Sequence, residues 1–489
     1  MRGYHSVALG TGRWALGTGR RGRAAGATAY RRVFLGRGPW RDPWRGPWRD
    51  RCGTGMLGLV TTPADDLPPT GGLWRGGFGR LFVADAISST GRAMSSLALQ
   101  LLLVTTMQAT PDQLGIVRGA QWAPYLVFGL VAGVVVDRVR RRPVLIASDV
   151  ASTLTWGVIA ALAFTDRLTV PILVGLVFLA GSITCFEVAA WQSYVPRLVP
   201  DPLLPAAFAR LEQMGSVITA AGPLGAGALV RLVGAPVALA VDALTYAVSM
   251  VLLLTIRRAE PVRAGVSADT SADTSADTSA APDRHLGREL REGATWVYGH
   301  PMIRPYALWL HTWFFFTNLG IPVVVFFASD ELGLGPVAIG AVFAAAGVVG
   351  MAVAGSAPRL ERRHGVGRVF AATEWFASPL AWTVIALTPT GWWAIPVLAL
   401  GHGLTGLSTL TAGLGMSYRS VVTPDPLRAR MNATIRTVNW GSIAVAAPLG
   451  GWIAHTFGNR TALAVAAAGL LAATAYLAQS PFRTARMPS

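Results

Sequence analysis

The sequence predicts an all-α membrane protein: twelve transmembrane helices in two parallel six-helix bundles, with both termini cytoplasmic. Three observations carry this expectation. Of 489 residues, 52% are hydrophobic and only 14% charged, where a soluble domain carries about 25% charge. Charge-free runs recur, among them 93–111, 119–136, 168–186, 305–329 and 437–459, and crossing a bilayer takes roughly 20 mostly apolar residues. The chain also repeats itself. Ser193-Tyr-Val-Pro-Arg-Leu-Val-Pro-Asp-Pro-Leu203 returns 224 positions on as Ser417-Tyr-Arg-Ser-Val-Val-Thr-Pro-Asp-Pro-Leu427. Pro223-Leu-Gly returns as Pro448-Leu-Gly, and Gly234-x-x-x-Ala-Leu-Ala-Val as Gly458-x-x-x-Ala-Leu-Ala-Val. A duplication at one offset, between apolar runs, points to a two-half transporter.

The elements follow in order. A tail, 1–73, is rich in Arg, Trp and Pro; its first 55 residues hold twelve Arg and two Asp, and Pro-Trp-Arg stands at 39–41, 43–45 and 47–49. It has neither helical nor strand periodicity, so it reads as disordered. Met56 offers an alternative start, and no nucleic-acid partner is expected. Residues 74–258 form the first bundle, with spans near 80–107, 114–136, 143–165, 169–195, 206–231 and 236–256. A cytoplasmic linker, 259–300, begins with a polar Ser-Ala-Asp-Thr repeat too poor in apolar residues to fold. Arg288 to His300 then reads as a short amphipathic helix on the inner membrane surface. Residues 301–482 form the second bundle, with spans near 303–328, 336–357, 367–388, 392–416, 432–455 and 460–479, and 483–489 are a C-terminal tail. The runs are continuous rather than alternating, which excludes a barrel. Arginines concentrate in the loops after even-numbered spans, which places those loops and both termini inside.

All 42 basic residues are Arg. Without lysine there is no Walker-type nucleotide site and no Schiff-base chemistry, so the driving force must come from an ion gradient or a partner. Cys52 in the tail and Cys185 in a span are poorly placed to pair, and no metal site is expected. The sequence holds no His-Glu-x-x-His and no Gly-x-Ser-x-Gly, which argues against a membrane-embedded enzyme.

The loop Gly133-Val-Val-Val-Asp137-Arg138-Val-Arg140-Arg141-Arg142 resembles the signature between spans 2 and 3 of the major facilitator superfamily, with Arg140 in place of its second Gly. Gly222-Pro223-Leu-Gly-Ala-Gly227 resembles the antiporter motif of family exporters, although a simple structural kink fits equally. Pro143-Val-Leu-Ile-Ala-Ser-Asp149, Asp242-Ala-Leu-Thr-Tyr246 and Arg291-Glu-Gly…His300-Pro301 are similar to the macrolide and siderophore efflux branch. The resemblance covers roughly 75–482. It implies a gate in which Asp137 meets span 11 near Arg430 and Asn432, while Arg138, Arg141 and Arg142 lie at anionic headgroups.

Ionisable groups inside spans cost about 2.5–3.5 kcal/mol each on insertion scales and usually face a cavity or a partner. Glu187 is the leading proton carrier, with Arg92 at similar depth as its partner; the alternative is a static pair that only fixes packing. Asp85, seven residues before Arg92, shares its helix face. Asp85, Asp149, Arg210 and Glu212 read as a charge network near the inner leaflet, and Asp242 and Glu374 complete the coupling candidates. For His311 and His402 a satisfied helix–helix hydrogen bond is expected. Gln192, Trp309, Trp313, Asn318 and His402 are candidate cavity lining, with lipid-facing positions an equal alternative for Trp309 and Trp313. The expected function is therefore secondary active transport without a cofactor: proton-driven efflux of a hydrophobic or amphipathic small molecule by a monomer in a bacterial cytoplasmic membrane. Import by the same fold, and a sensor or scaffold that does not transport, are the alternatives.

Overall fold

A computed structural model describes residues 73–74, 77–256 and 286–487, all within one compact unit, Leu67–Ser489. The tail up to residue 72 and the linker at 257–285 lie outside the described residues, as do the side chains of residues 130, 134, 137, 201 and 286–290.

The described chain is helical. In the first copy of the repeat, α1 (Phe78–Leu101) runs on through a π-turn, Leu102–Thr106. It is followed by α2 (Pro111–Trp122), α3 (Pro124–Arg138), α4 (Arg141–Phe164), α5 (Val170–Leu198), α6 (Leu204–Val233) and α7 (Ala235–Leu254). After the linker come α8 (Leu286–Gly299), α9 (Ile303–Phe326) with a π-turn at Phe327–Glu331, α10 (Pro336–Ala354) and α11 (Ala357–His364). Then follow α12 (Val366–Trp375), a π-turn at Phe376–Leu380, α13 (Ala381–Ala386), α14 (Ala394–Thr405), α15 (Ser408–Val422), α16 (Asp425–Phe457) and α17 (Asn459–Gln479). Nine of the described helical segments are long and apolar enough to cross a membrane by length and composition. The other long segments carry charges within their length, as α1 and α16 do, or are divided at Ala123, as α2–α3 is.

The duplication is visible in the backbone. Gly234 and Gly458, the matched glycines, both take positive φ, 85° and 90°, a conformation that glycine adopts without strain. They turn α6 into α7 and α16 into α17. Arg140 sits at φ −69° and ψ 132°, so the first copy makes its turn without a second glycine.

One end of the molecule, called the linker end, carries the Arg-rich loop and the described residues on either side of the linker. There Arg80 donates to the Thr255 carbonyl at 3.0 Å, and Arg142 donates to those of Leu253 and Leu254 at 3.1 and 2.9 Å. Arginines thus satisfy carbonyls at the end of α7, a favourable place for cations. At the opposite, distal end, Arg460 pairs with Glu331 at 2.5 Å and donates to the Ala386 and Thr388 carbonyls.

The apolar core shows how the copies meet. In the distal half a single cluster joins Leu97–Val104 and Ile159 of the first copy to Val323–Ala328 and Leu463–Leu470 of the second. Toward the linker end it divides in two, one part around Phe78, Tyr194 and Ile256 and the other around Tyr306, Phe370 and Phe482. The copies are therefore joined distally and separate toward the linker.

Two small-residue seams hold the distal contact. On one, Gly227 of α6 packs on the Pro336 carbonyl and Gly340 of α10 on that of Pro223. On the other, Gly451 of α16 packs on the Pro111 carbonyl and Gly115 of α2 on Ala447–Pro448. Each contact has its mate one repeat away. A side chain at these glycines would meet backbone, so only glycine allows the approach. Gly222 packs in turn on Ala93. The Gly-Pro motif thus packs α6 on both α1, at Gly222, and the second copy, at Pro223 and Gly227.

Two boundaries and the packing of one helix differ from the sequence reading. Leu73, assigned to the tail, is buried with Phe78 and Leu81. Residues 483–487 are packed rather than a tail: the Ala485 carbonyl accepts from Gly367 N–H at 3.0 Å, beside the buried Phe482. The amphipathic helix α8 turns its apolar face to protein, burying Val297 with Ile303, Met431 and Ile435. Gly293 lets α8 approach the Arg430 backbone, and Trp296 Nε1 donates to Thr423 Oγ1 at 3.3 Å.

Candidate functional site

Arg92 and Glu187 meet as their depths imply. Arg92 Nη1 donates to Glu187 Oε1 at 3.1 Å, and Nη2 donates to Ser89 Oγ at 3.3 Å. Glu187 Oε2 is buried with no hydrogen-bond partner. The Tyr246 ring of α7 lies 6.0 Å from the Arg92 guanidinium. Gly91, one residue earlier, explains the close approach of α7: a Cβ there would stand 2.5 Å from Asp242 Oδ1. Asp242 is 1% exposed and, with Asp85 and Glu187, acts electrostatically on Arg92. Asp85 accepts from Ser89 at 3.3 Å, and Asp149 faces Ser249. The first copy therefore gathers Glu187, Asp85, Asp149 and Asp242 around Arg92. Arg210 and Glu212 do not join them. Both lie on the exposed side of α6, where Arg210 donates to Gln213 at 3.0 Å, because Ala207 and Leu211 take the buried side.

Glu374 forms a separate centre in the second copy. It is fully buried and accepts from Ser378 and Thr411, each at 2.5 Å, while Trp313 Nε1 donates to Ser378 Oγ at 2.9 Å. Hydroxyl donors stabilise it, and among the described residues no cation pairs with it.

Of the expected cavity lining, Trp309, Asn318 and His402 are buried. Trp309 is 3% exposed, its ring 4.8 Å from Phe370 in the second-copy core. Trp313 serves the Glu374 network, and Asn318 donates to its own helix at the Phe314 carbonyl. Gln192 is exposed. His402 is buried against Phe343, 4.4 Å between rings, with Nε2 unpaired rather than satisfied. His311 does make the expected bonds, with Asn439 at 2.6 Å and Tyr298 at 3.0 Å. Aromatic content on a helix does not separate core from cavity, and here it marked core.

A cavity of about 170 Å³ lies in the first copy, lined by Arg92, Arg118, Gln121, Trp122, Tyr125, Thr184 and Tyr246 among others. Trp440 of α16 closes on it from the second copy, 4.5 Å from Tyr125 and 6.0 Å from Trp122. Arg118 was missed in the sequence, although it stands within a span and borders a charge-free run. Its guanidinium lies 6.0 Å from the Trp122 ring, and among the described residues no carboxylate pairs with it. Arg436 rests similarly on Trp440, at 5.5 Å.

At the Arg-rich loop, Gly133 has open space around it and Arg138 is exposed. Arg141 is 8% exposed and donates to the Val139 carbonyl at 3.0 Å, so it and Arg142 bind protein rather than projecting to headgroups. The Asp137 side chain lies outside the described residues. Arg430, near its expected contact, forms an ion pair with Glu292 of α8.

Long apolar helices in two matched copies, joined at one end and holding buried charges within each copy, define a membrane transport protein rather than an enzyme. Residues 70–487 match the major-facilitator family described as transmembrane secretion effector, and the chain belongs to that family. Macrolide efflux protein A of Streptococcus pyogenes is 23% identical over 184 residues, 38% of this chain and 45% of that protein. Macrolide efflux protein A of Enterococcus faecalis is 27% identical over 134 residues, 27% of this chain and 42% of that protein. The chain thus spans under half the length of these curated relatives. Among solved structures, the nucleoside transporter NupG has a TM-score of 0.63 at 13% identity, covering 82% of this chain and 98% of that one. A POT family transporter in complex with 5-aminolevulinic acid has a TM-score of 0.64 at 13% identity, covering 83% and 96%.

Proposed function

We propose that the protein is a proton-coupled antiporter that exports a hydrophobic or amphipathic small molecule from a bacterial cytoplasmic membrane by alternating access. In this reading α1, α2–α3 and α16 join the nine apolar segments to make twelve spans. Residues 74–258 and 301–482 are the two bundles, 259–300 the cytoplasmic linker, and the functional unit is a monomer. Both termini are cytoplasmic, so the linker end faces inward and the distal seams close the outer mouth: the conformation is inward-facing. Gly133, Asp137, Arg138 and Arg141 act when the inner mouth closes, and the seam at Pro223 and Gly227 parts when the outer mouth opens, while Gly222 keeps α6 against α1.

The observation that carries the reading is the Arg92–Glu187 pair, with its second carboxylate oxygen buried and unbonded. A carboxylate in that setting changes its interaction with the cation when it gains a proton. Protonation releases Arg92 and loosens α1 from α5; deprotonation restores the pair. Asp85, Asp149 and Asp242 hand protons along the same side, and Glu374 holds the second copy. The similarity to macrolide efflux proteins supports export of a bulky, largely apolar molecule.

Inverted membrane vesicles with an imposed pH gradient test this, using erythromycin and a lipophilic dye as probes. Accumulation should collapse with an uncoupler and in Glu187→Gln. Full gradient-driven accumulation in Glu187→Gln would remove that residue from coupling.

A further inference from the structure

We propose that Arg118 and Trp122 form an anion-binding site in the cavity between α2, α3 and α5, beside the Arg92–Glu187 pair. Arg118 lies seven residues into α2, about 10 Å along the axis, and faces a cavity of 170 Å³. Its Nε is buried with no hydrogen-bond partner, and so is the indole Nε1 of Trp122, one turn on. Both atoms are donors with no accepting capacity. The tyrosines on the wall, Tyr125 and Tyr246, also carry hydroxyl donors.

Charge agrees with hydrogen bonding. Asp85, Asp149, Asp242 and Glu187 lie around Arg92, and among the described residues none of them pairs with Arg118. Arg118 is thus a second cation in the cavity, supported only by the face of Trp122. Buried donors and an unneutralised charge are costly, so the arrangement favours a guest that brings acceptors and negative charge. The volume is below the roughly 300–1,000 Å³ of drug-sized pockets. It suits a small free anion such as chloride, or the carboxylate end of an aromatic molecule whose ring stacks among Trp122, Tyr125 and Trp440.

The site stands apart from the coupling role of Glu187, and its test uses binding alone. The full chain, purified in nanodiscs and exchanged into gluconate, is titrated with chloride, benzoate, benzamide and benzylamine while thermal unfolding is followed. A bound ligand raises the midpoint in proportion to its saturation. Benzoate or chloride should raise it, with benzamide and benzylamine at least tenfold weaker. Arg118→Met should abolish the anion response, and Arg118→Lys should keep part of it. Trp122→Phe, which retains the ring and removes the donor, should weaken it several-fold; it carries the test if Arg118→Met does not fold. Chloride that binds and competes with benzoate identifies a free inorganic anion. Silent chloride with strong benzoate identifies a carboxylate on the transported molecule. Equal responses to benzoate and benzamide with none to chloride would overturn the proposal, as would anion effects unchanged in Arg118→Met and Trp122→Phe.

Discussion

Substituting Gly119 by alanine attacks the distal closure directly. A methyl group at residue 119 would stand 2.7 Å from Pro448 Cγ, 2.9 Å from Pro448 Cδ and 3.0 Å from the Ala444 carbonyl oxygen. Carbon atoms rest about 3.5–4.0 Å apart, so α2 and α16 must separate by several tenths of an ångström or more. Overpacking of this kind costs about 1–3 kcal/mol. The cost falls on the conformation in which the seam is closed and is relieved when it opens. The closed-to-open ratio should therefore drop by about 5- to 150-fold. Spin labels at Gln108 and Asn459, in a Cys52→Ser, Cys185→Ser background, report the gap by double electron–electron resonance. The parent should favour the short distance, and Gly119→Ala should move population to a longer one. An unchanged distance distribution in a folded Gly119→Ala protein would refute the idea that this seam holds the end shut.

His300 makes the junction of α8 and α9 sensitive to acid. Its Nδ1 accepts the backbone N–H groups of Met302 and Ile303, each at 3.2 Å, and burial pushes its pKa below the usual 6.5. The folded form therefore binds the proton less readily than the unfolded form, and stability falls as pH drops below about 6.5. Amide protection at 302–304, measured relative to the intrinsic exchange rate at each pH, should fall between pH 7.5 and pH 5, and His300→Asn, which keeps an acceptor, should flatten that response; protection that rises with acid would contradict it. Trp309→Ala should cost about 3–5 kcal/mol as a core truncation and lower the thermal midpoint accordingly, while probe transport per folded molecule stays within twofold. A selective change in KM for the probe would instead return Trp309 to the transport path.

Much of the fold was legible because duplication and burial leave regular marks. Gly234 and Gly458 matched in sequence, and both take the same positive φ. The Arg92–Glu187 pair was legible from depth, since two opposite charges at one level of a hydrocarbon layer have strong reason to meet. Arg118 was not legible because it stands at the edge of the charge-free run 119–136, where a charge reads as the end of a span. Trp309 and Asn318 were misplaced for another reason. Helical spacing gives a residue its face, but not whether that face meets a cavity or a neighbouring helix. The partnership of α8 with α16 was hidden too: an amphipathic helix fits a protein groove as well as a membrane surface, and Gly293, which admits the Arg430 backbone, announces nothing by itself.

The reciprocal pairing of Gly227 with Pro336 and of Gly451 with Pro111 has a consequence for ancestry. Exchange the copies and the contact list maps onto itself, as at an isologous dimer interface. A half-length polypeptide carrying one glycine–proline set would already possess both sides of the seam and could assemble with itself before any gene fusion. At the same offset Asp149 of the charged centre is matched by Glu374, whereas Arg92, Glu187, Asp85 and Asp242 meet no charged residue, so the lineage's asymmetry lies within the pocket rather than in the hinge.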